Sequence, residues 1–396
     1  MRIVVHDYSG HPFQYELSQE LARRGHMVRH QHCPQYTSGK AAFRQGDAGL
    51  TVQPVELDAA FARYSPFRRV WQEVQYAARA RRAIVSEPCD IVVLSNVPLI
   101  ANLLLAMALR WHRRPYVFWH QDIYSAAIAD AARAKWPLLG RVVGMVASWA
   151  EKQVVARSRA VVAISEAFAD PYARWEVPLG KVKFWGNWAP VKDLPVADKD
   201  NRWARLHDLA DKHVLLYAGT LGLKHRPEIL RAMAEDLADT AVVVVVSQGL
   251  GRDWLDAHPP AAGDLRTLNF QPFEELPEVM GSADVLVALL EPEASRYSVP
   301  SKTLSYLCSG RPVVALLPGD NPVAKILDES RAGITLPGAA PDLGRVRELL
   351  LDAPRRGIMG AAARSYAEVH FDIEQIGDRW EQLLESAAHP SALTSS

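Results

Sequence analysis

Five consecutive valines, Val242–Val246, constrain the fold of this chain more than any other stretch. Valine is β-branched and favours strands, and a run with no polar residue predicts a strand that is covered on both faces. Amphipathic stretches separate this run from other short apolar runs, which lie at residues 2–6, 27–33, 91–95, 116–120, 160–165, 181–185, 214–219, 265–270, 283–290 and 312–317. Such alternation predicts βαβ units and parallel sheets, and therefore an α/β protein.

The chain has 396 residues, which is more than one domain needs. Residues 187–202 interrupt the alternation with prolines and mixed charges, as a linker would. We therefore predict two Rossmann-like domains, each a doubly wound parallel sheet, that face a central cleft. The boundaries predicted are 1–190 and 191–370, followed by a C-terminal helix and polar tail over 371–396 that pack back on the N-terminal domain.

Charge is distributed unevenly although the formal net charge is zero. Residues 1–190 contain 24 Lys and Arg against 15 Asp and Glu, and the remainder contains 21 against 30. Arginines alternate with aromatic residues over 61–82, 108–116 and 135–144, a combination that suits an anionic membrane surface. A solvated basic helix face is the alternative for any single stretch. No nucleic-acid-binding motif is present, so we do not expect a nucleic-acid partner.

Cysteine and histidine spacing argues against a structural metal or a disulfide framework. Cys33, Cys89 and Cys308 lie far apart, which fits a reducing cytoplasm. His26, His30 and His32 lie along one strand without a fourth ligand, so no metal site is predicted. The longest apolar run, 97–109, is too short for a membrane-spanning helix, and the N-terminus is a strand rather than a signal peptide.

Residues 298–310 predict a helix that begins with hydroxyls and a cation. Ser301, Lys302 and Thr303 lie at its start, and Gly310 follows its end. The N-terminus of a helix carries free N–H groups and a partial positive charge, and Lys302 adds a full charge. This helix start suits a phosphate or diphosphate, although an ordinary capped helix would look the same.

A second loop strengthens the phosphate interpretation. Residues 217–230 read YAGTLGLKHRPEIL, in which Gly219, Thr220 and Gly222 precede Lys224. The glycines permit close approach of the backbone to a ligand, and the loop lacks the Gly-Lys-Ser/Thr signature of a Walker loop. A solvent-facing turn would also use glycines. Together the two loops offer Lys224 and Lys302 to one doubly charged group.

The combination of these motifs is similar to the GT-B glycosyltransferases of glycosyltransferase family 4. The resemblance is carried by the two loops above, by the AGI of residues 332–334, and by HDYSGHPFQYELSQELARRGH after the first strand, HQDIY (120–124), AVVAISEAF (160–168) and GNW (186–188). The resemblance covers nearly the whole chain. It is greatest to the subgroup that builds bacterial surface polysaccharides, such as colanic acid and O-antigen fucosyl- or N-acetylfucosaminyltransferases.

This resemblance implies a retaining, metal-independent hexosyl or deoxyhexosyl transfer from a nucleotide-diphosphate sugar, a co-substrate, with no cofactor. Family acceptors are often lipid-linked, so the resemblance implies a peripheral protein at the inner face of the plasma membrane, with acceptor in the first domain and donor in the second. The implied catalytic residues are His120, Asp122 and Lys224. The implied donor-binding residues are Gly10, Ser165, Gly219, Thr220, Gly222, Lys224, Ser301, Lys302, Thr303 and Ser305.

One position departs from the family pattern. The family has a glutamate, which binds the donor ribose, at the position of Ser305, and Tyr297 stands where its paired glutamate would be. Serine is a weaker acceptor than a carboxylate. Glu291 or Glu293 could substitute. The departure leaves open a changed donor preference or lost activity, and lost activity would make the protein a catalytically weakened nucleotide-sugar-binding partner subunit. A nucleotide-sugar epimerase or hydrolase on the same GT-B frame is a separate alternative.

Overall fold

The computed structural model describes residues 1–36, 41, 43, 46–58, 66–290, 297, 299, 301–338 and 341–389; the side chains of Pro66, Phe67, Pro137 and Lys224 are outside this description. The chain forms two compact units. Unit 1 comprises Met1–Gly186 and Ile373–Ser396, and unit 2 comprises Asn187–Asp372. Unit 1 ends four residues before the boundary predicted at residue 190.

Unit 1 is a seven-stranded parallel sheet in the order β3-β2-β1-β4-β5-β6-β7. Its strands are β1 (Arg2–Asp7), β2 (Met27–His32), β3 (Leu50–Pro54), β4 (Ile91–Ser95), β5 (Tyr116–His120), β6 (Ala160–Ala163) and β7 (Val182–Phe184). Its helices are α1 (Pro12–Arg23), α2 (Pro66–Val85), α3 (Leu99–Trp111), α4 (Tyr124–Lys135), α5 (Pro137–Arg157), α6 (Ala169–Arg174) and α15 (Ile373–Ala388).

Helix α15 packs on the first unit although it comes last in the chain. The Trp380 ring contacts the Trp119 ring of β5, with 4.6 Å between centroids. Arg24 at the end of α1 donates to Asp378 and Glu381, and Glu381 also contacts His26 at 2.7 Å. These contacts hold the helix against α1 and the sheet. The tail from residue 390 onward is outside the described residues.

Unit 2 is a six-stranded parallel sheet in the order β10-β9-β8-β11-β12-β13. Its strands are β8 (Val214–Ala218), β9 (Val242–Val246), β10 (Asp264–Leu268), β11 (Val285–Leu289), β12 (Val313–Leu316) and β13 (Gly333–Leu336). Its helices are α7 (Arg202–Leu206), α8 (Glu228–Asp236), α9 (Leu250–Ala257), α10 (Leu276–Gly281), α11 (Ser301–Cys308), α12 (Pro322–Ser330), α13 (Leu343–Leu351) and α14 (Ala353–His370).

The valine run forms β9, and all five valines are buried, as a strand covered on both faces requires. Its core partners include Leu215, Tyr217 and Val287. The strand order of this sheet reverses between β8 and β11. In open α/β sheets ligands bind at the carboxyl ends of the strands at such a switch point, so the loops after β8 and β11 are the first place to look for a site.

Candidate functional site

The loop after β8 is anchored to the neighbouring strand. The Ser247 hydroxyl at the end of β9 donates to the Gly219 carbonyl at 2.7 Å, and Leu221 N–H donates to the Gln248 carbonyl at 3.1 Å. Gly219 has φ +146°, a conformation that disfavours any side chain. The fixed loop therefore presents Gly219 and the exposed Thr220 at the carboxyl edge of the sheet.

Lys302 of α11 lies directly against this glycine. A Cβ atom added to Gly219 would lie 3.1 Å from Lys302 Cε and 3.3 Å from Nζ. The Lys302 ammonium donates to the Tyr217 hydroxyl and lies 4.1 Å from the centre of the Tyr217 ring. Burial lowers the pKa of Lys302 to about 7. No carboxylate of the described residues pairs with Lys302, so its positive charge is available to an anionic ligand at the switch point.

Two tyrosines that the sequence did not single out hold this arrangement. The Tyr217 hydroxyl donates to the Thr220 carbonyl at 2.8 Å while it accepts from Lys302. Tyr306, one turn after Lys302, accepts from Ala218 N–H and donates to the Ala218 carbonyl, both at 2.8 Å. Burial raises the pKa of Tyr306, so the phenol stays neutral. The two tyrosines therefore fix α11 and the end of β8 relative to each other.

The other predicted donor residues of α11 have different environments. Ser301 is exposed and Ser305 is half-buried. Thr303 is fully buried, and its hydroxyl oxygen has no hydrogen-bond partner among the described residues. A buried polar atom without a partner is costly, and a ligand or water could satisfy it. Glu291 and Glu293, the proposed substitutes for the missing carboxylate, lie outside the described residues.

Gly222 and Lys224 begin a single helical turn next to this site. The Gly222 N–H donates to His225 Nδ1 at 2.9 Å, so a side chain of the turn already binds this amide. Arg226 follows in the left-handed conformation, with φ +55°, and donates to the Gly338 carbonyl at 3.0 Å. The backbone of Lys224 lies in the turn, and the position of its ammonium is outside the described structure.

In unit 1, His120 ends β5 and is bonded through both ring nitrogens. Nδ1 lies 2.8 Å from the Tyr172 hydroxyl, and Nε2 lies 3.2 Å from Glu151 Oε1. His120 and Glu151 are each 1% exposed. Both ring nitrogens of His120 are therefore bonded within a buried network. The role of His120 towards a sugar stays a prediction.

Glu151, which the sequence analysis did not single out, is the centre of that network. Its carboxylate accepts from Tyr124 N–H at 2.9 Å, Ser125 N–H at 3.0 Å and the Ser125 hydroxyl at 2.5 Å. It thereby satisfies the first N–H groups of α4. Asp122 lies in the short segment between His120 and α4 and is half-buried.

Gly10 lies in the loop after β1 with φ +74°. Its N–H and that of His11 lie against the carboxylate of Asp7, with 2.6 Å from the His11 nitrogen to Asp7 Oδ2. Asp7 also accepts from Ser9 N–H and from the Asn96 side chain, each at 3.1 Å. Burial raises the pKa of Asp7. The predicted approach of the Gly10 backbone to donor phosphates thus competes with an internal carboxylate.

Ser165 follows β6 as a helix cap. Its hydroxyl accepts from Ala167 N–H at 3.2 Å, and the residue is buried. The chain thus places Gly10, His120, Asp122 and Ser165 after β1, β5 and β6 on one edge of the first sheet, as parallel strands require.

The buried histidines of unit 1 act as packing groups. His30 Nδ1 contacts the Ser18 hydroxyl at 2.8 Å, and His6 contacts Gln31 at 2.9 Å. Burial lowers the pKa of His6 to about 4 and that of His30 to about 3. Across the described residues, no group of three or more His, Cys, Asp or Glu side chains could hold a metal ion.

Comparison with known proteins identifies the fold and the character of unit 1. Both parallel-sheet units match solved GT-B glycosyltransferase structures, so the fold is GT-B. Residues 11–188 match the glycosyl transferase 4-like domain family. This match lies within the first unit, apart from its last two residues, and spans less than half of the chain.

Three individual proteins illustrate the similarity. "Probable glycosyltransferase WbjE" of Pseudomonas aeruginosa is 23% identical over 274 residues, which cover 68% of this chain and 66% of that protein. Sucrose-phosphate synthase of Thermosynechococcus elongatus matches with a TM-score of 0.75 and 16% identity, over 99% of this chain and 100% of that one. Anabaena HepE, solved with UDP and glucose, matches with a TM-score of 0.70 and 15% identity, over 98% and 100%.

At these identities the solved structures show the GT-B fold of the chain. Among the described residues, no helix is long and apolar enough to cross a membrane.

Proposed function

We propose that this protein is a retaining glycosyltransferase that moves a hexosyl or deoxyhexosyl group from a nucleotide-diphosphate sugar to a lipid-linked glycan. One observation carries the proposal: the Lys302 ammonium lies against Gly219, at the point where the strand order of the second sheet reverses. A cation without a carboxylate partner beside a bare backbone suits a diphosphate. Anabaena HepE, which shares the fold, was solved with UDP and with UDP-glucose.

The chemistry that these residues can perform is charge stabilisation. The bond from the anomeric carbon to the diphosphate oxygen breaks, and the acceptor oxygen bonds to that carbon. The acceptor proton passes to an oxygen of the leaving diphosphate. Lys302 and Lys224 would stabilise the negative charge that develops on this leaving group. This mechanism requires no metal, and it assigns His120 and Asp122 to orienting the sugar.

The acceptor and its biological setting complete the proposal. Similarity to WbjE, which is described as a probable glycosyltransferase, and the resemblance of the sequence motifs to colanic acid and O-antigen transferases support synthesis of bacterial surface polysaccharide. Lipid-linked acceptors would place the enzyme on the cytoplasmic face of the plasma membrane as a peripheral protein. The three cysteines are all free and buried, which fits a reducing compartment.

A catalytically weakened partner subunit remains the second candidate, because Ser305 replaces a family carboxylate and is only half-buried on α11. Incubation of the purified protein with UDP-, GDP- and dTDP-sugars tests both ideas. Transfer to a lipid-linked acceptor at an ordinary rate would support the glycosyltransferase hypothesis and exclude a catalytically weakened partner subunit. Nucleotide-sugar conversion without any acceptor would instead indicate an epimerase. Binding without conversion or transfer, with every acceptor, would favour the partner subunit.

A further inference from the structure

The longest helix of unit 1, α5, exposes an apolar face where a surface helix ordinarily exposes polar residues. Six apolar side chains on it are 49–80% exposed, namely Leu138, Leu139, Val142, Met145, Val146 and Trp149. Their spacing of one, three or four residues places them on a single stripe of the helix. The opposite stripe buries Ala147, Glu151 and Val154. A contiguous exposed apolar stripe indicates a binding surface.

A groove lies beside this stripe. It has a volume of about 600 Å³ and lies between α4, α5 and α6. Three arginines line it, Arg133 of α4, Arg141 of α5 and Arg174 of α6, together with Met145 from the stripe. Arg133 donates to the exposed Asp130 at 3.0 Å. Within the described part of the chain, the side chains of Arg141 and Arg174 form no hydrogen bond or ion pair.

Among the described residues that line the groove none is acidic, so the three cations lie beside apolar surface without a carboxylate in this lining. Trp136, half-exposed at the α4–α5 junction, has the Lys135 ammonium 4.6 Å from its ring centre. Tryptophan paired with basic side chains is typical of the region where lipid head groups meet acyl chains. A protein-binding surface would not require three arginines in the lining of the groove.

We infer that α5 lies in the surface of an anionic phospholipid bilayer, with its apolar stripe among the acyl chains. The groove then binds a lipid head-group phosphate through Arg133, Arg141 and Arg174. This inference rests on the proposed function only in that a lipid-linked acceptor explains why the enzyme needs the membrane. It assigns the contact to one helix and one groove rather than to the basic half of the chain as a whole.

A second groove, of about 360 Å³, lies at the other end of α5. Met107, Arg110 and Trp111 of α3 line it with Arg113 and with Arg157 from the last turn of α5. Trp111 is 85% exposed. The same combination of arginine, tryptophan and apolar side chain therefore flanks α5 at both ends, which suits one continuous membrane contact.

Vesicle flotation of the full chain tests the inference. Wild-type protein should float with equimolar phosphatidylglycerol and phosphatidylcholine vesicles and much less with phosphatidylcholine alone. Val142→Glu/Val146→Glu should abolish flotation. Arg141→Ala/Arg174→Ala should weaken binding roughly 30-fold, because each cation near an anionic surface contributes about fivefold. Leu206→Glu/Ile358→Glu and Lys325→Ala/Arg345→Ala, exposed changes in unit 2, are the matched controls and should bind as wild type does.

Retention of vesicle binding in both unit 1 variants would overturn the inference. So would a change in oligomeric state of Val142→Glu/Val146→Glu with unaltered flotation, because the stripe would then be a protein interface. Equal flotation with both vesicle types would show that the arginine groove does not select an anionic head group. Nucleotide titration of the same variants keeps the questions separate: if no variant nor the wild type binds a nucleotide sugar, the proposed function fails while the flotation result still decides the membrane surface.

Discussion

The carboxyl edges of the two sheets are built from similar residue types but use them differently. In unit 1, His120 is hydrogen-bonded to both Glu151 and Tyr172, and Asp7 binds the amides of the Gly10 loop. In unit 2, Lys302 rests on a tyrosine, and Thr303 has no partner among the described residues. Internally paired groups stabilise a fold, whereas a cation without an anion is suited to a ligand.

A polar residue at the end of a strand is therefore not by itself a site residue. His120 ends a buried strand and Lys302 comes after another, but the histidine belongs to a helix-capping network. The two residues differ in whether other groups of the described structure already satisfy their hydrogen bonds or neutralise their charge. The predictions that follow test this distinction, beginning with the largest expected effect.

The largest effect is expected for Glu151→Ala. The substitution removes a buried carboxylate that contacts His120, Tyr124 and Ser125, and it breaks all four of these hydrogen-bond contacts. We expect the free energy of unfolding, measured in urea, to fall by about 3–5 kcal/mol. Glu176→Ala, which removes an exposed partner of Lys152, is the control and should cost less than about 1 kcal/mol. A loss of stability for Glu151→Ala as small as that of the control would contradict the structural role of Glu151 in this hydrogen-bond network.

The next effect concerns the donor. Gly219→Ala would place a Cβ atom against Lys302 and would force alanine into a strained conformation. We expect UDP-glucose affinity, measured by calorimetry, to fall about 10–100-fold, because the ammonium must move from the ligand position. Gly180→Ala has open space around its added Cβ and should change nothing. Unchanged affinity in Gly219→Ala would separate the loop from the donor site.

A smaller effect is expected from pH. The pKa of Lys302 is lowered to about 7, so the free protein loses this charge as the pH rises through 7. UDP-glucose has no phosphate proton that titrates there. Its affinity should therefore fall severalfold between about pH 6 and pH 8. Lys302→Met should remove the dependence; a wild-type affinity that is flat over this range would show that Lys302 is not titrating in the site.

The stability of the folded chain should depend on pH in the opposite direction from the UDP-glucose affinity. The unfolded chain keeps the ordinary lysine pKa of 10.5 and binds the proton up to higher pH than the folded chain does. The cost of burying charged Lys302 is therefore fully present below about pH 7 and disappears as the pH rises towards 10.5. Urea unfolding of wild type against Lys302→Met across this window measures it: the difference should shrink as the pH rises.

The smallest effect is expected for Ser305→Glu, which restores the family carboxylate. A charged acceptor binds a hydroxyl about twice as strongly as a neutral one, so donor affinity should rise a few fold. Restored transfer activity from near zero would support the weakened-subunit alternative. No change in affinity or activity would place Ser305 away from the ribose. Ser330→Glu, on α12, is the matched control.

Much of this architecture follows from local sequence. The apolar runs predicted each central strand to within a few residues, because β-branched runs covered by helices have few alternatives. Strands β3 and β13 were missed. β3 is an edge strand that contains Thr51, Gln53 and Pro54, and β13 begins at Gly333, so neither has the apolar pattern of a buried strand.

The site was predictable in part. Glycines, lysine and helix-start hydroxyls indicated the loops of unit 2, and the structure brings Gly219 and Lys302 together. Tyr217, Tyr306 and Glu151 were not predictable, because their partners lie far along the chain. Tyr217 and Lys302 are 85 residues apart, and His120 and Glu151 are 31 apart. Nothing in the local pattern of either residue signals such a pairing.

The central claim is that Lys302 in unit 2 binds the diphosphate of a nucleotide sugar. Calorimetric titration of UDP, GDP, dTDP and CMP into wild type, Lys302→Ala and the exposed control Lys325→Ala tests it directly. We expect at least one nucleoside diphosphate to bind wild type and Lys325→Ala equally, and to bind Lys302→Ala roughly 30-fold more weakly, the loss of one charged hydrogen bond. Equal binding by all three proteins would contradict the account.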